Sequence, residues 1–456
     1  MARDQVDMTP IETRDELVAW FEQGNKPREQ FRIGTEHEKF AFSVSGNRPV
    51  PYAGPRGIRA LLEGMQMLLG WEPIMEGDNI IGLGDVTGGG AISLEPGGQF
   101  ELSGAPVETV HQTHVELMAH LAQLREVARP LGIGFLGLGM TPTWTRADMP
   151  VMPKGRYRIM TAYMPKVGRL GLDMMYRTCT VQTNLDFGSE ADMVKKLRVG
   201  LALQPVATAL FAASPFTEGR PNGFLSFRSE IWRDTDPDRS GMLPWAFEPG
   251  MGFERYADYA LDVPMYFVKR GARYIDVSGQ SFRDLLAGKL ALLPGERATM
   301  SDWVNHLSTI FPEVRLKRFL EMRGADAGPW RRLPALPAFW VGLVYDDDSL
   351  DAAWDVVKMW TAEERQRLRD DVPKLGFAAT IRGRTMLELA RECLEISRRG
   401  LARRDRVDHN GCDETRFLDP IDDFAERGVT PAEELLEKFH GPWGGSVEPV
   451  FGEYAY

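Results

Sequence analysis

Cysteine is nearly absent from this sequence: Cys179, Cys393 and Cys412 are the only three in 456 residues. So few argue against a secreted, disulfide-stapled scaffold. Histidine is scarce too, with seven residues and no His-Glu-x-x-His run, which disfavours a His-rich zinc or iron centre. Long apolar runs are missing, and the stretch 201–213 is too short for a bilayer and carries Gln204 and Pro205. No extended basic run occurs and the net charge is −11, so no nucleic acid and no membrane are expected as partners. The first twenty residues are polar and charged, without an apolar core or an Arg/Ser-rich presequence. Together these absences set the expectation of a soluble, cytoplasmic protein.

The chain is long enough for one large domain or for two to three ordinary ones. With no internal repeat, low-complexity linker or clear break, the expectation is a single domain over 1–456, its segment 345–441 mainly helical and packed on the core. Helices are expected over Thr13–Phe21 (with Thr13 as cap), at 58–69, from Pro106 onward, and over Glu190–Phe211 with a kink near Leu203 caused by Pro205. Thr430-Pro431-Ala432-Glu433 is a further helix start, with cap, proline and glutamate in register. Lys154 to Arg169 reads as a basic loop, Thr178–Phe187 as a strand, and Val314–Arg323 as another. Gly82 to Gly90 is glycine-rich but lacks the ending of a phosphate-binding P-loop. His111 and His114, three apart on a helix, read as surface or satisfied core histidines.

What the sequence does have is carboxylates on strand faces. In Gly34-Thr35-Glu36-His37-Glu38-Lys39-Phe40-Ala41-Phe42, alternate side chains face opposite ways, so Glu36 and Glu38 share a face about 7 Å apart. Two acids so close repel unless a cation lies between them or one stays protonated. Ala91–Glu95 and Gln99–Ser103 flank Pro96-Gly97-Gly98, a three-residue hairpin turn that sets Glu95 and Glu101 diagonally, roughly 7–8 Å apart. Glu321 and Arg323 share the face of a third strand, and Gln182 and Asn184 the face of a fourth, where two amides suit a ligand cavity. Oxygen donors without Cys or His company indicate a hard cation, Mg²⁺ or Mn²⁺. Five glutamates (Glu36, Glu38, Glu95, Glu101, Glu321) exceed the charge of one divalent ion, so two or more are expected. Such sites complete their coordination with substrate phosphates, which points to ATP-dependent phosphoryl transfer.

The runs GTEHEKFAF, ISLEPGGQFELSGAP, MPKGRY, LGLDMMYRTCTVQTNLDF, EVRLKRFLEMRGADAGPWRRLPALPAFWVGL and PVFGEYAY resemble the plant-type glutamate–cysteine ligases, with likeness from about Glu12 to Tyr456. The resemblance implies an α+β fold: a glutamine-synthetase-like curved antiparallel sheet flanked by helices, with a helical C-terminal segment. It implies formation of γ-glutamylcysteine from L-glutamate, L-cysteine and ATP through γ-glutamyl phosphate, the first step of glutathione synthesis. By resemblance the five glutamates hold Mg²⁺, with Glu38 essential to turnover, and Gln182 falls at a metal or nucleotide position. Arg323 and Lys166 are implied as catalytic holders of the ATP phosphates, Arg228 as the holder of the glutamate α-carboxylate, and Asn184 as a substrate-side amide. Leu293 and Pro334 lie in motifs where plant chains can carry Cys, and Cys179 is a possible partner of Cys393; with the missing presequence this suggests a proteobacterial-branch, cytosolic enzyme, monomeric or homodimeric. Rival readings are a ligase joining glutamate to another amine and a Mg²⁺-dependent phosphotransferase.

Overall fold

The strand expected around Glu36 and Glu38 is the longest among the described residues of the computed structural model, which covers residues 7–456. It is β1 (Ile33–Ser43), and nine other strands make one ten-stranded sheet with it. The others are β2 (Arg48–Pro49), β3 (Glu72–Glu76), β4 (Asn79–Gly84), β5 (Ala91–Leu94), β6 (Phe100–Ser103), β7 (Ile133–Leu136), β8 (Thr180–Leu185), β9 (Val314–Leu316) and β10 (Leu320–Asp326). Their spatial order is β9-β10-β8-β1-β6-β5-β4-β3, and every pairing is antiparallel. Beyond Lys39, β1 exchanges these partners for β7 and β2, so its second half belongs to a different flank of the sheet.

The period-2 alternation divides this sheet into a polar face and an apolar one. On the apolar side, Ile92, Leu94, Phe100 and Leu102 pack against the helices Ile58–Leu69 and Val110–Leu131. Toward β8 and β10, Val181, Leu185 and Met322 join a larger core with the helices Glu190–Phe211 and Ala335–Val344. Each fully buried aliphatic side chain there stabilises by about 1.5–3 kcal/mol relative to exposure, so the apolar face holds the sheet rigid beneath the polar one. Segment 345–441 contributes further helices to that core, among them Asp347–Val357, Ala362–Leu375 and Met386–Arg404. None of the described helices is long and apolar enough to cross a membrane.

The helix starts follow the sequence closely where a capping box is present. Thr13 with Glu16 and Thr430 with Glu433 each close one. The helix expected from Pro106 starts later, at Val110, because Thr109 and Gln112 form the box that sets its first turn. The basic loop expected at Lys154–Arg169 is instead largely a helix, Gly155–Val167, whose first amide is held by Glu76 Oε1 at 2.5 Å. Basic side chains do not oppose a helix: Arg158 and Lys166 are exposed on it, while Arg156 faces the cleft. The helix Glu190–Phe211 continues without a break through Pro205. The glycine-rich stretch splits, since Gly82 and Gly84 lie in β4 and only 85–90 turn back.

The single strand expected over Val314–Arg323 is a hairpin, β9 and β10, turning at 317–319 and pairing Arg315 with Glu321. Further along, β10 carries an irregularity against β8: Met322 pairs with Thr183 but Ala325 with Val181. Three steps on one strand therefore match two on the other, a β-bulge around Arg323 and Gly324. The disulfide suggested between Cys179 and Cys393 is not formed. Both are buried free thiols, and they lie in two separate apolar clusters.

Candidate active site

The antiparallel register collects acidic and amide side chains on the polar face. Glu36 stands opposite Gln182 on one side and Ser103 on the other. Glu38 stands opposite Glu101, which in turn faces Ser93. Beyond β8, Glu321 pairs with Asn184. This face floors an open cleft of about 1240 Å³, solvent at its mouth included. Glu36, Glu38, Glu95, Glu101, Gln182, Arg228 and Arg323 all line it.

Each acid at the near wall is steadied by a neutral donor. Glu38 Oε2 accepts the Thr180 backbone N–H at 2.9 Å, where β1 and β8 part. Glu101 takes the hydroxyls of Ser93 and Ser103 at 2.8 and 2.9 Å. Glu36 Oε1 accepts from the Asn184 amide at 2.9 Å. Glu95 follows β5 at the hairpin turn, where Gly98 adopts φ +82°, and its Oε1 accepts from the Tyr157 hydroxyl at 3.3 Å. Among the described residues no three acidic, His or Cys side chains are already drawn together around a single metal position. That spacing is what mutual repulsion between carboxylates produces.

The far wall is cationic. Glu321 is fully buried there, and both its oxygens are taken. Arg315 Nη2 reaches Oε2 at 2.6 Å and Oε1 at 2.9 Å, Lys317 Nζ reaches Oε1 at 3.2 Å, and Arg323 Nη1 reaches Oε2 at 2.7 Å. Arg323 Nη1 also donates to Gln182 Oε1 at 2.8 Å and lies over the Trp232 ring, 5.7 Å from its centroid. Arg228 enters from the short helix Phe227–Trp232; its Nη2 donates to the Arg323 carbonyl at 3.1 Å. Asp326 holds that helix start, accepting from the Ser214 and Ser226 hydroxyls at 2.6 and 2.9 Å.

Glu38 and Glu321 titrate oppositely, while at Glu101 burial favours the neutral form but the Ser93 and Ser103 hydroxyls help hold the group below its ordinary value. Burial, reinforced by the charges of Glu95 and Glu101, pushes the Glu38 carboxyl well above the usual carboxylate range. Burial and Glu101 likewise raise Glu95. At Glu321 burial also favours the neutral form, yet Arg315, Lys317 and Arg323 hold the group well below its ordinary value. Beside the acidic wall, burial and the Arg156 charge bring Lys154 down to about 8. The near wall thus carries more acids than its cations Lys154 and Arg156 offset, while the far wall sets Arg315, Lys317 and Arg323 around one carboxylate, an arrangement suited to cations and a polyphosphate together.

Of the residues singled out in the sequence, Glu36, Glu38, Glu95, Glu101, Gln182, Arg228 and Arg323 come together in the cleft. Three do not take the expected places. Glu321 lies beneath the surface, so a cation bound by it would have to displace Arg315 or Arg323. Lys166 is exposed in the last turn of the Gly155–Val167 helix, away from the lining residues; reading that segment as a loop hid which way it points. Asn184 serves Glu36 rather than the cavity. The sequence reading also missed Arg156, Tyr157, Trp232, Arg315 and Lys317. Arg315 and Lys317 carry a legible signal, since they alternate in step with Glu321 and Arg323.

A family model described as glutamate-cysteine ligase family 2 matches residues 32–453. The chain is 59% identical over 444 residues to a chloroplastic glutamate–cysteine ligase of Arabidopsis thaliana, covering 97% of this chain and 83% of that one. To the chloroplastic glutamate–cysteine ligase B of Oryza sativa subsp. japonica it is 57% identical over 453 residues, covering 99% and 89%. Among solved structures, a glutamate–cysteine ligase from Francisella tularensis in complex with AMP superposes with a TM-score of 0.55 at 12% identity, over 93% of this chain and 87% of that one. That likeness shows a shared fold, the glutamine-synthetase-like α+β sheet expected from the sequence. The expected cytoplasmic location is corrected, because these plant relatives are chloroplastic proteins. A compartment is set by targeting signals, and a catalytic fold shared across compartments does not reveal it.

Proposed function

We infer the reaction course from one premise: this chain belongs to glutamate–cysteine ligase family 2. It joins the γ-carboxylate of L-glutamate to the amine of L-cysteine at the expense of ATP, forming γ-glutamylcysteine, the first step of glutathione synthesis. A carboxylate oxygen of glutamate attacks the γ-phosphorus of ATP, and ADP leaves with the bond electrons. The cysteine nitrogen then attacks the γ-carbonyl carbon, and phosphate departs with the oxygen that had carried it. No side-chain nucleophile is required for either step.

The observation that carries this reading is the pairing of an acidic and a cationic wall across one cleft. Glu36, Glu38, Glu95 and Glu101 are oxygen donors of the kind Mg²⁺ prefers, and the raised Glu38 carboxyl marks a wall in want of positive charge. We assign them two or more Mg²⁺ ions, with Mn²⁺ as a substitute; bound there, the metal neutralises phosphate charge. Arg323 and Arg315 face the phosphates from the far wall. Arg228, fixed by the Arg323 carbonyl and the Asp326 network, binds the glutamate α-carboxylate. Glu321 sets the positions of three cations rather than binding metal. Met160, Met174, Met175 and Phe267 line the remaining side and keep water from the reactive acyl phosphate. Residues 1–456 act as one catalytic domain, and the cysteine pattern at Leu293 and Pro334 favours the proteobacterial branch.

The test is ADP release from the purified protein with glutamate and Mg-ATP, with and without cysteine, together with the product mass. ADP that appears only with both amino acids, alongside γ-glutamylcysteine, supports the assignment. Equal ADP release with an unrelated amine and none of this product overturns it.

A further inference from the structure

A small chamber opens off the back of the cleft. The two share Arg228, Trp232, Phe311 and Arg323, and behind these the chamber is walled by Glu313 and Arg369. It has room for about one water-sized atom. Arg369 comes from the helix Ala362–Leu375, in the C-terminal helical segment. Its side chain is 4% exposed. Nε donates to Glu313 Oε1 at 2.5 Å and Nη2 to the Ser229 carbonyl at 3.0 Å, while Nη1 is buried with no hydrogen-bond partner. A buried guanidinium nitrogen without an acceptor is costly, and an oxygen delivered to it would be held firmly.

Charge selects the kind of oxygen. Three guanidiniums, those of Arg228, Arg323 and Arg369, line the chamber with one carboxylate, Glu313; Arg323 also pairs with Glu321 and Arg228 lies 4.0 Å from Asp326, yet Arg369 Nη1, beside the engaged Glu313, still has no acceptor. The chamber therefore favours an anionic oxygen. A phosphoryl group brings three oxygens on one phosphorus and exceeds the space; a carboxylate on a substrate lying in the main cleft needs to send in only one. We propose that the chamber receives one oxygen of the glutamate α-carboxylate, and that Arg369 is a specificity-determining residue reading it beside Arg228. This rests on the assignment of Arg228 made above and extends it to a residue from the C-terminal helices.

The experiment is calorimetric binding of two ligands to the full-length protein with Mg²⁺ present. One is glutamate; the other is 4-aminobutanoate, which keeps the terminal carboxylate and the amine but lacks the α-carboxylate. Arg369→Gln is expected to weaken glutamate binding roughly tenfold or more while leaving 4-aminobutanoate unchanged, with Arg369→Lys intermediate. Arg369→Lys keeps the charge near Glu313, so it reports even where the Gln variant folds poorly. Equal losses for both ligands reduce Arg369 to a strut between Glu313 and Ser229 and overturn the proposal. Unchanged glutamate binding overturns it too, leaving a chamber that holds only water. Wild-type binding of glutamate without any ADP release would instead sink the reaction reading and leave this inference standing.

Discussion

Glu38 and Glu321 sit on the same face of the same sheet, yet one is pushed toward protonation and the other locked as an anion. Nothing in the side chain distinguishes them; the neighbours do. Glu38 stands across the strand from Glu101 with Glu95 close by, whereas Glu321 is enclosed by Arg315, Lys317 and Arg323. The first wall is incomplete without a bound cation, and the second is complete as folded. A carboxylate that lacks positive partners is a binding element, while one saturated by them is architecture.

The comparison is open to breakage at several points. Glu321→Gln leaves three buried cations uncompensated and is expected to lower folding stability by about 3–5 kcal/mol, read from the urea unfolding midpoint. Glu38→Gln should do the reverse: turnover falls roughly a hundred- to a thousand-fold while the unfolding midpoint holds or rises. Near-wild-type ADP release by that variant would remove Glu38 from the metal site.

Mg²⁺ at about a hundred times its dissociation constant should stabilise the wild type by about 2.7 kcal/mol, and Glu38→Gln by clearly less. The pH dependence follows from the signs. Glu38 has a raised folded pKa, so its stabilising contribution is present below the ordinary carboxylate value of about 4.3 and is lost as pH climbs through the raised one. Glu321 has a depressed folded pKa; its contribution is present above that ordinary value and is lost as pH falls. Metal-free protein should accordingly lose stability as pH rises above that ordinary carboxylate value, in a way that Glu38→Gln removes and Mg²⁺ suppresses. The smallest effect belongs to Lys166→Ala, expected to change stability by less than about 0.5 kcal/mol and turnover hardly at all. A large loss of turnover there would restore Lys166 to the phosphate site.

Much of the near wall was legible in the sequence because its logic is local. Alternation along β1 and a Pro-Gly-Gly turn suffice to put Glu36, Glu38, Glu95 and Glu101 on one face. The far wall was harder. Its strand is a hairpin, and whether Glu321 binds metal or neighbouring cations depends on which residues the turn at 317–319 brings opposite. Lys166 was misplaced since a basic run reads alike as loop or helix, and only tertiary packing shows the direction of its side chains. Trp232 and Arg369 reach the site across long sequence separations that no local pattern announces.

The bulge in β10 works as a phase shift in a two-beat count. Before it, odd-numbered residues such as Glu321 take the polar face of the sheet; after it, Asp326, an even-numbered residue, pairs with Thr180 and takes that same face. The extra residue gives one strand two consecutive tasks, holding the cations and then anchoring the helix of Arg228. Gly324 sits at the uneven beat, its N–H donating at 2.8 Å to Gln204 Oε1, which a β-carbon there would displace. No single substitution can reproduce or undo such an offset. Only an insertion or deletion changes the count, so the length of this strand is as constrained as its seven buried residues.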